Sequence, residues 1–296
     1  MMSARFLTVV LERAFNMRDG FGREIDYMRI SVIDSCNLNC YYCNPCDNNE
    51  HCHALNILSV KEVLCIVRAA TRLGIKHFRL TGGEPLLHPQ LDEMVLQIKK
   101  IPGVSSVSLT TNAVLLAQHA KWLKEAGIDS INVSLDTIDA SEYERITKKP
   151  LLEEVKHGIN AAIECGIRVK INVVLTPQTD VVALTRYVAK KGTDIRFIEM
   201  MPVGEGHTNG VEPYKKVIGT LSKLYGEPCR INTEKTKEIN SENDKRKIPD
   251  NGPAEYYIFP ELGIRVGLIQ AIHGKFCDTC NRIRVTADGR LMPCLG

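Results

Sequence analysis

The stretch YMRISVIDSCNLNCYYC, residues 27–43, decides how this chain folds and what it can bind. Tyr27 to Ile33 is predicted to form a β-strand, the first of several short β-rich runs. Cys36, Cys40 and Cys43 follow it directly with the spacing C-x3-C-x2-C. Three thiolates this close can bind one four-iron cluster, which usually takes four thiolates, and one iron then stays open to another ligand. A structural zinc site and three unrelated thiols in a loop are the alternatives.

The composition of the 296 residues is that of a globular protein with a sizeable core, since 44% are apolar and 25% are charged. A net charge of +3 is too small to indicate nucleic acid or a membrane surface as a partner. No run of 18 apolar residues and no signal peptide is recognisable, so we expect a cytoplasmic protein. Eleven cysteines are unusual there, because cytosolic disulfides are rare, and they indicate metal or redox sites.

Short β-rich runs alternate with amphipathic helical stretches along most of the chain. Six β–α units in series predict an α/β fold with a parallel sheet and helices outside. Because a closed barrel needs eight units, we expect a partial (β/α)6 TIM-like barrel with its chemistry at the carboxyl ends of the strands. Beyond about residue 226 the predicted strands lack long intervening helices. We therefore expect an N-terminal extension (1–21), a barrel (22–225) and a C-terminal region (226–296).

Two further motifs bear on chemistry. The sequence GGEP, residues 82–85, ends the second predicted strand, and its glycines allow a close approach of the backbone. By itself this motif is an ordinary turn. Cys277, Cys280 and Cys294 form C-x2-C-x13-C near the end of the sequence. By itself this set also fits a zinc ribbon, with His273 as a fourth ligand.

Together, the first cysteine loop and the GGEP turn resemble the radical S-adenosylmethionine (SAM) superfamily. The stretch FCDTCNRIRVTADGRLMPCL (276–295) closely resembles the C-terminal signature of MoaA-type GTP 3′,8-cyclases, which catalyse the first step of molybdenum cofactor biosynthesis. FRLTGGEPLL (78–87), INVSLDT (131–137) and RFIEMMPVG (196–204) resemble the same family in the same order. The resemblance runs from about Gly22 to Leu295, and it implies a radical SAM barrel with a C-terminal cluster-binding extension.

The resemblance implies two [4Fe–4S] clusters and SAM as cofactors, with GTP as substrate. It assigns the first cluster to Cys36, Cys40 and Cys43, and the auxiliary cluster to Cys277, Cys280 and Cys294. It assigns SAM contacts to Tyr42, Gly83, Ser134 and Met201. It assigns GTP contacts to Arg29, Arg79, Thr110, Lys170, Arg282 and Arg284. Arginines suit a triphosphate because guanidinium groups are always charged and bind oxyanions bidentately.

The implied lyase reaction places no protein acid or base at its centre. In the family, a 5′-deoxyadenosyl radical removes H3′ of GTP, and the C3′ radical attacks guanine C8 to give 3′,8-cyclo-7,8-dihydro-GTP. The implied partners are GTP, an electron donor and the downstream cyclic pyranopterin monophosphate synthase. A homodimer is compatible with the sequence, whereas nucleic acid and membranes are not expected partners. The alternatives are a radical SAM peptide-modifying enzyme with an auxiliary cluster and a non-catalytic metal-binding module.

The chain departs from the family pattern near the predicted site. Extra thiols and imidazoles follow the first cysteine set at Cys46, His51, Cys52 and His53. A solvated loop is the favoured interpretation, and an alternative metal site is the other. The family's TTNG is TTNA here, at Ala113. His77 and His88 stand where basic residues are common in the family, so we expect softer GTP contacts. Cys65 and Cys165 lie among apolar residues of predicted helices and are expected to be inert core cysteines.

Overall fold

The computed structural model describes residues 17–43, 56–201, 213–231 and 252–294. Six strands follow one another along the chain: β1 (Tyr27–Ser31), β2 (His77–Thr81), β3 (Ser106–Thr111), β4 (Ser130–Ser134), β5 (Val169–Leu175) and β6 (Asp194–Glu199). Helices separate or follow them: α1 (Val60–Arg72), α2 (Leu91–Lys99), α3 (Leu116–Glu125), α4 (Ala140–Thr147), α5 (Leu152–Glu164), α6 (Val181–Lys190) and α7 (Pro213–Tyr225). The remaining strands are β7 (Cys229–Arg230), β8 (Glu255–Ile258), β9 (Arg265–Ile269), β10 (Arg282–Val285) and β11 (Leu291–Met292).

Strands β1 to β6 lie side by side in chain order and pair in parallel, which confirms the predicted partial (β/α)6 barrel. The structure adds a finding that the sequence did not predict. Strand β9 pairs in parallel with β6, and β10 pairs in parallel with β1. The C-terminal strands therefore continue the barrel sheet at both edges, and the described part of the chain contains eight adjacent parallel strands. The predicted boundary near residue 226 stays a prediction.

The two faces of the sheet differ in chemistry because side chains alternate along a strand. In β2, Phe78 and Leu80 are fully buried against the outer helices. His77, Arg79 and Thr81 alternate with them and face the interior of the barrel, where they line a cavity. The apolar outer face belongs to the hydrophobic core that the helices cover. The barrel interior is therefore a polar cavity and not a second apolar core.

Helix α1 shows how local sequence sets the outer layer. It begins at a capping box, in which the backbone N–H of Glu62 donates to Ser59 Oγ (3.3 Å) and the backbone N–H of Ser59 donates to Glu62 Oε2 (2.8 Å). Val63 and Val67 form its fully buried stripe. Cys65 lies off that stripe and is exposed, so the expectation of a core cysteine is wrong at this position. No helix within the described ranges is long and apolar enough to cross a membrane.

Candidate active site between two cysteine sets

The two cysteine sets lie at opposite ends of the barrel strands. Cys36, Cys40 and Cys43 follow the carboxyl end of β1. Strand β10 runs parallel to β1, so Cys277 and Cys280, which precede β10, lie at the amino end. Strand β11 runs antiparallel to β10 and returns the chain to that same end, where the third cysteine of the second set, Cys294, follows it.

A cavity of about 1480 Å³ occupies the barrel interior and reaches the first cysteine set. Its lining contains most of the predicted site residues: Cys36, Cys40, Cys43, Tyr42, Gly83, Ser134, Arg29, Arg79, Thr110, Lys170 and Arg282. Toward the amino ends of the strands it also contains Ser106 and Asp129. Among the described residues, Met201 and Arg284 do not belong to this lining, and neither do the three cysteines of the second set.

Backbone hydrogen bonds shape the first cysteine loop. The backbone N–H groups of Asn39 and Tyr41 donate to the carbonyls of Thr147 (3.0 Å) and Ile146 (3.1 Å) at the end of α4. The Cys40 thiol donates to Cys43, and this contact raises the pKa of Cys40 while it lowers that of Cys43. The loop is therefore held by the fold itself, with its thiols beside one another.

Gly82 and Gly83 let the turn after β2 lie directly against this loop. A Cβ atom at Gly83 would lie 2.2 Å from the carbonyl oxygen of Ser35 and 2.5 Å from that of Asp34. A Cβ atom at Gly82 would lie 2.3 Å from the carbonyl oxygen of Ile33. Real Cβ atoms do not approach oxygen this closely, so only glycine fits at either position. The GGEP motif is therefore required by contact with the cysteine loop.

Sequence reasoning missed the carboxylate that supports Tyr42. The Tyr42 hydroxyl donates to Asp136, which also accepts the backbone N–H of Val174 (2.7 Å). Burial raises the pKa of Asp136 to about 6, although these two hydrogen bonds oppose the rise. Asp136 lies in the family-like stretch INVSLDT, just after the carboxyl end of β4, and this position could have identified it as a site residue. Asp136 ties the first cysteine loop to strands β4 and β5.

Glu84 of the GGEP motif has a structural role that was also missed. Its buried carboxylate accepts hydrogen bonds from Thr111 Oγ1 (2.7 Å) and from the backbone N–H groups of Asn112 (2.7 Å) and Leu86 (3.0 Å). Burial raises the pKa of this carboxyl. Asn112 in turn donates to Asn37 Oδ1 (2.7 Å) in the first cysteine loop. The turns after β2 and β3 therefore support the loop together.

Four arginines lie close together on β10, β1 and β2. The sheet register places Arg29 directly between Arg284 and Arg79. The guanidinium groups of Arg79 and Arg282 lie 5.6 and 5.9 Å from the centre of the Tyr27 ring. Arg29 Nε is buried and has no hydrogen-bond partner among the residues that the structure describes. Burial, and then the charge of neighbouring arginines, lowers the pKa of Arg29 to about 9. This crowded positive charge favours an anionic ligand.

The opposite wall of the barrel is also polar. Lys170 of β5 is buried and pairs in register with Asn132 of β4, whose Oδ1 accepts a hydrogen bond from Arg196 (3.1 Å). Thr110 of β3 occupies the next position in this row. Arg196 lines the cavity and was not singled out from the sequence, although its place on β6 at the start of RFIEMMPVG was available. Positive groups therefore face the cavity from two sides.

The two histidines that replace common basic residues of the family, His77 and His88, differ in their surroundings. His77 lines the cavity, contacts Ser106 Oγ through Nδ1 (2.8 Å), and has a pKa that burial lowers. His88 is buried and, among the described residues, does not belong to the cavity lining. Its Nδ1 accepts the backbone N–H of Gln90 (3.1 Å). Nε2 therefore carries the proton, which it donates to the carbonyl oxygen of Leu58 (2.9 Å). His88 therefore supports a loop and does not contact a ligand there. The candidate site at Cys46, His51, Cys52 and His53 lies outside the described residues.

Two arginine side chains lie near the thiols of the second set. The Arg23 charge interacts with Cys277 and Cys280, and the Arg284 charge interacts with Cys280 and Cys294. Within residues 17–43, 56–201, 213–231 and 252–294, no three Cys, His, Asp or Glu side chains are arranged to hold a single metal ion. Three cysteines at each end are the number of protein ligands that an iron–sulfur cluster with one open iron takes.

Comparisons with known proteins agree with this architecture. Residues 30–184 match the radical SAM superfamily, and residues 193–296 match the family described as Molybdenum Cofactor Synthesis C. The GTP 3′,8-cyclase of Clostridium perfringens is 37% identical over 282 residues, which cover 94% of this chain and 83% of that protein. The GTP 3′,8-cyclase of Pelotomaculum thermopropionicum is 38% identical over 283 residues, with 94% and 84% coverage.

Solved structures show the same fold at low identity. Streptococcus suis SuiB bound to S-adenosylmethionine superposes with a TM-score of 0.63 at 14% identity, over 91% of this chain and 60% of that one. The anSMEcpe structure with bound AdoMet superposes with a TM-score of 0.61 at 18% identity, over 91% of this chain and 74% of that one. These structures support the fold, and the relatives above identify the family. The chain belongs to the GTP 3′,8-cyclase family of radical SAM enzymes.

Proposed function

We propose that this chain binds GTP in the barrel cavity and converts it to 3′,8-cyclo-7,8-dihydro-GTP, the first step of molybdenum cofactor biosynthesis. The observation that carries the proposal is the arginine group around Arg29, inside a cavity that reaches the first cysteine set. A triphosphate carries several negative charges, and it would offset the burial and the arginine repulsion that together lower the pKa of Arg29. The buried Nε of Arg29 would also gain a hydrogen-bond acceptor.

The residues present fit the cofactors of this family. Cys36, Cys40 and Cys43 would hold the cluster that binds SAM, and Tyr42, Gly83, Ser134 and Met201 would contact SAM. Cys277, Cys280 and Cys294 would hold the auxiliary cluster. When bound, SAM and its cluster supply the radical that starts the reaction at C3′ of the GTP ribose. The cofactors carry this chemistry, and the protein contributes binding, orientation and exclusion of water.

The chain's own residues would place GTP. Arg29, Arg79, Arg282 and Arg284 on one wall and Lys170 with Thr110 on the other would hold the phosphates and the nucleoside. The cavity extends from the first cysteine set toward the amino ends of the strands, so a bound nucleotide would lie between the two sets. Fixed guanidinium groups orient a flexible triphosphate, and such placement can account for several kcal/mol of a barrier.

Anaerobic turnover with SAM, a reductant and each nucleoside triphosphate in turn tests the proposal. We expect formation of 5′-deoxyadenosine and cyclised product with GTP and not with ATP, CTP or UTP. Arg29→Gln should weaken GTP binding by about 1.5–3 kcal/mol, roughly 10- to 150-fold, because it removes a charged contact. Arg186→Gln, on the outer helix α6, is the matched control and should leave GTP affinity unchanged. Equal GTP affinity in both variants would contradict the proposed pocket.

A radical SAM peptide-modifying enzyme is not favoured as the alternative. The relatives at 36–38% identity are GTP 3′,8-cyclases. The SuiB structure with its precursor peptide shares only 17% identity with this chain, so it supports the fold alone. A non-catalytic metal-binding module would need neither the polar cavity nor its arginines. Turnover of GTP without turnover of peptides would separate these functions.

We further propose two partners that the family suggests, an electron donor and a downstream enzyme. Reductive cleavage of SAM needs an external one-electron donor, and the product would pass to cyclic pyranopterin monophosphate synthase. A homodimer, a cytoplasmic location and the three-region division at residues 21 and 225 also remain predictions. Size-exclusion chromatography with light scattering would decide the oligomeric state.

A further inference from the structure

A tight turn before β1, residues 17–25, packs near the second cysteine set. Arg18 and Glu24 form an isolated antiparallel bridge across it. The backbone N–H of Ile25 donates to Met17 O (2.8 Å), and the N–H of Met17 donates to Leu73 O (3.0 Å) after α1. These contacts fix the turn to the body of the barrel.

Asp19 sets the direction of the Arg23 side chain within this turn. Its Oδ1 accepts the backbone N–H groups of Phe21 (2.9 Å) and Arg23 (3.0 Å). Its Oδ2 accepts Arg23 Nε (2.6 Å) and lies 2.5 Å from Arg23 Nη2. The two side chains keep only 22% and 20% of their exposure, for Arg23 and Asp19 respectively. Two nitrogens of the guanidinium are therefore occupied by Asp19, and the third points in a fixed direction.

That third nitrogen reaches the second cysteine set. Arg23 Nη1 donates to the carbonyl oxygen of Cys277 at 2.7 Å, across 254 positions of sequence. Two further hydrogen bonds hold the segment 277–281 against the start of β1. Asn281 Nδ2 donates to Asp26 Oδ1 (2.6 Å), and the backbone N–H of Tyr27 donates to Asn281 O (3.2 Å). The Arg23 charge interacts with the sulfurs of Cys277 and Cys280.

We propose that Arg23 is a positioning residue for the cluster at the second cysteine set, and that its fixed charge raises the reduction potential of that cluster. The inference rests on the proposed role of Cys277, Cys280 and Cys294. Cluster potentials depend on net charge and hydrogen bonding around the site. Uptake of one electron makes the site more negative, so a nearby fixed cation stabilises the reduced form.

A reductive titration of the full chain with both clusters, followed by electron paramagnetic resonance, tests this inference. Arg23→Gln should lower the midpoint potential of the second cluster and leave that of the first unchanged. The same titration in a Cys40→Ser background identifies the transition of the second cluster. Arg18→Gln is the matched control: it removes the same charge from the same turn, where Arg18 pairs with exposed Glu24 (3.1 Å).

Asp19→Asn gives a second, opposite test. The amide oxygen can still accept the two backbone N–H groups, but the negative charge beside Arg23 is gone. The midpoint potential of the second cluster should therefore rise. A potential in Arg23→Gln equal to that in Arg18→Gln would overturn the inference. If Arg23→Gln does not retain the second cluster, an unchanged or lowered potential in Asp19→Asn overturns it instead. Wild-type protein without iron at the second set would contradict the proposed cluster itself, which is a separate result.

Discussion

The two ends of the barrel hold their cysteines by different means. At the carboxyl end, backbone hydrogen bonds to Ile146 and Thr147 shape the loop, and Gly83 lies against it without room for a Cβ atom. At the amino end, charged side chains reach the cysteine segment, with Arg23 on Cys277 O and Asp26 on Asn281. One end is built by close packing and the other by directed electrostatic contacts.

This difference predicts different sensitivities. Close-packed backbone tolerates no added volume, and its contacts respond little to salt. Half-exposed charged contacts tolerate changes of shape but respond to charge and to ionic strength. The carboxyl end should therefore fail when side-chain size changes, and the amino end when charge changes.

The largest expected effect separates the two ends completely. Cys40→Ser should lose about four irons of about eight and retain the second cluster, whereas Cys280→Ser should lose the other four. Both variants should lose GTP conversion, because in the proposed assignment each end contributes one cluster to one site. Iron and sulfide analysis with electron paramagnetic resonance measures this, with the exposed cysteine variant Cys65→Ser as the control. Loss of all iron in either variant would show that the ends are not independent.

Gly83→Val should have the next largest effect, confined to the carboxyl end. The added side chain would overlap the carbonyl oxygens of Ser35 and Asp34, and overpacking of this kind costs about 1–3 kcal/mol or more. We expect loss of SAM binding and of the first cluster, with the second cluster retained. Gly219→Ala is the control, since no atom of the described residues lies within 4 Å of a Cβ atom there. Normal SAM affinity in Gly83→Val would refute the close-packing argument.

A smaller effect concerns the pH dependence of stability at Asp136. Its folded-state pKa of about 6 exceeds the ordinary value of 3.8, so the folded chain binds this proton more tightly than the unfolded chain. The corresponding stability is present below pH 3.8 and is lost as pH rises through 6. The loss is about 3 kcal/mol. Urea unfolding should be measured from pH 4 to 8. Between pH 4 and pH 7, the free energy of unfolding of Asp136→Asn should rise by most of that amount relative to wild type. A pH-independent difference between the two proteins would contradict it.

The smallest expected effect is at Ala113, where the family pattern has glycine. Its φ of 67° lies in the left-handed region, which costs an L-residue about 1–2 kcal/mol. Ala113→Gly would relieve that strain but lose a buried methyl group worth about 0.8 kcal/mol and increase the entropy of the unfolded chain. These opposing contributions predict a change below about 1 kcal/mol. Urea midpoints should then differ little, whereas Ala113→Val should destabilise clearly; equal stability of Gly and Val variants would contradict this account.

The sequence by itself determined the fold class, the family and most of the candidate site residues that line the cavity. The β–α alternation and the cysteine spacings are local properties of the chain, so periodicity and motif order were sufficient for them. Arg282 and Arg284 lie two apart on a strand, which places both on one face, and the sheet register sets them beside Tyr27 and Arg29. The same local approach was wrong for Cys65, because apolar neighbours do not tell which side of a helix faces the core.

Only the tertiary structure decided what joins distant parts of the chain. The placement of the cysteine sets at opposite ends depends on β10 pairing in parallel with β1. The support of Tyr42 by Asp136 spans 94 positions, and that of Cys277 by Arg23 spans 254. No local pattern encodes such pairs, because each partner also suits an ordinary exposed turn or helix end. Their roles arise only when packing of the whole sheet brings the two segments within hydrogen-bond distance.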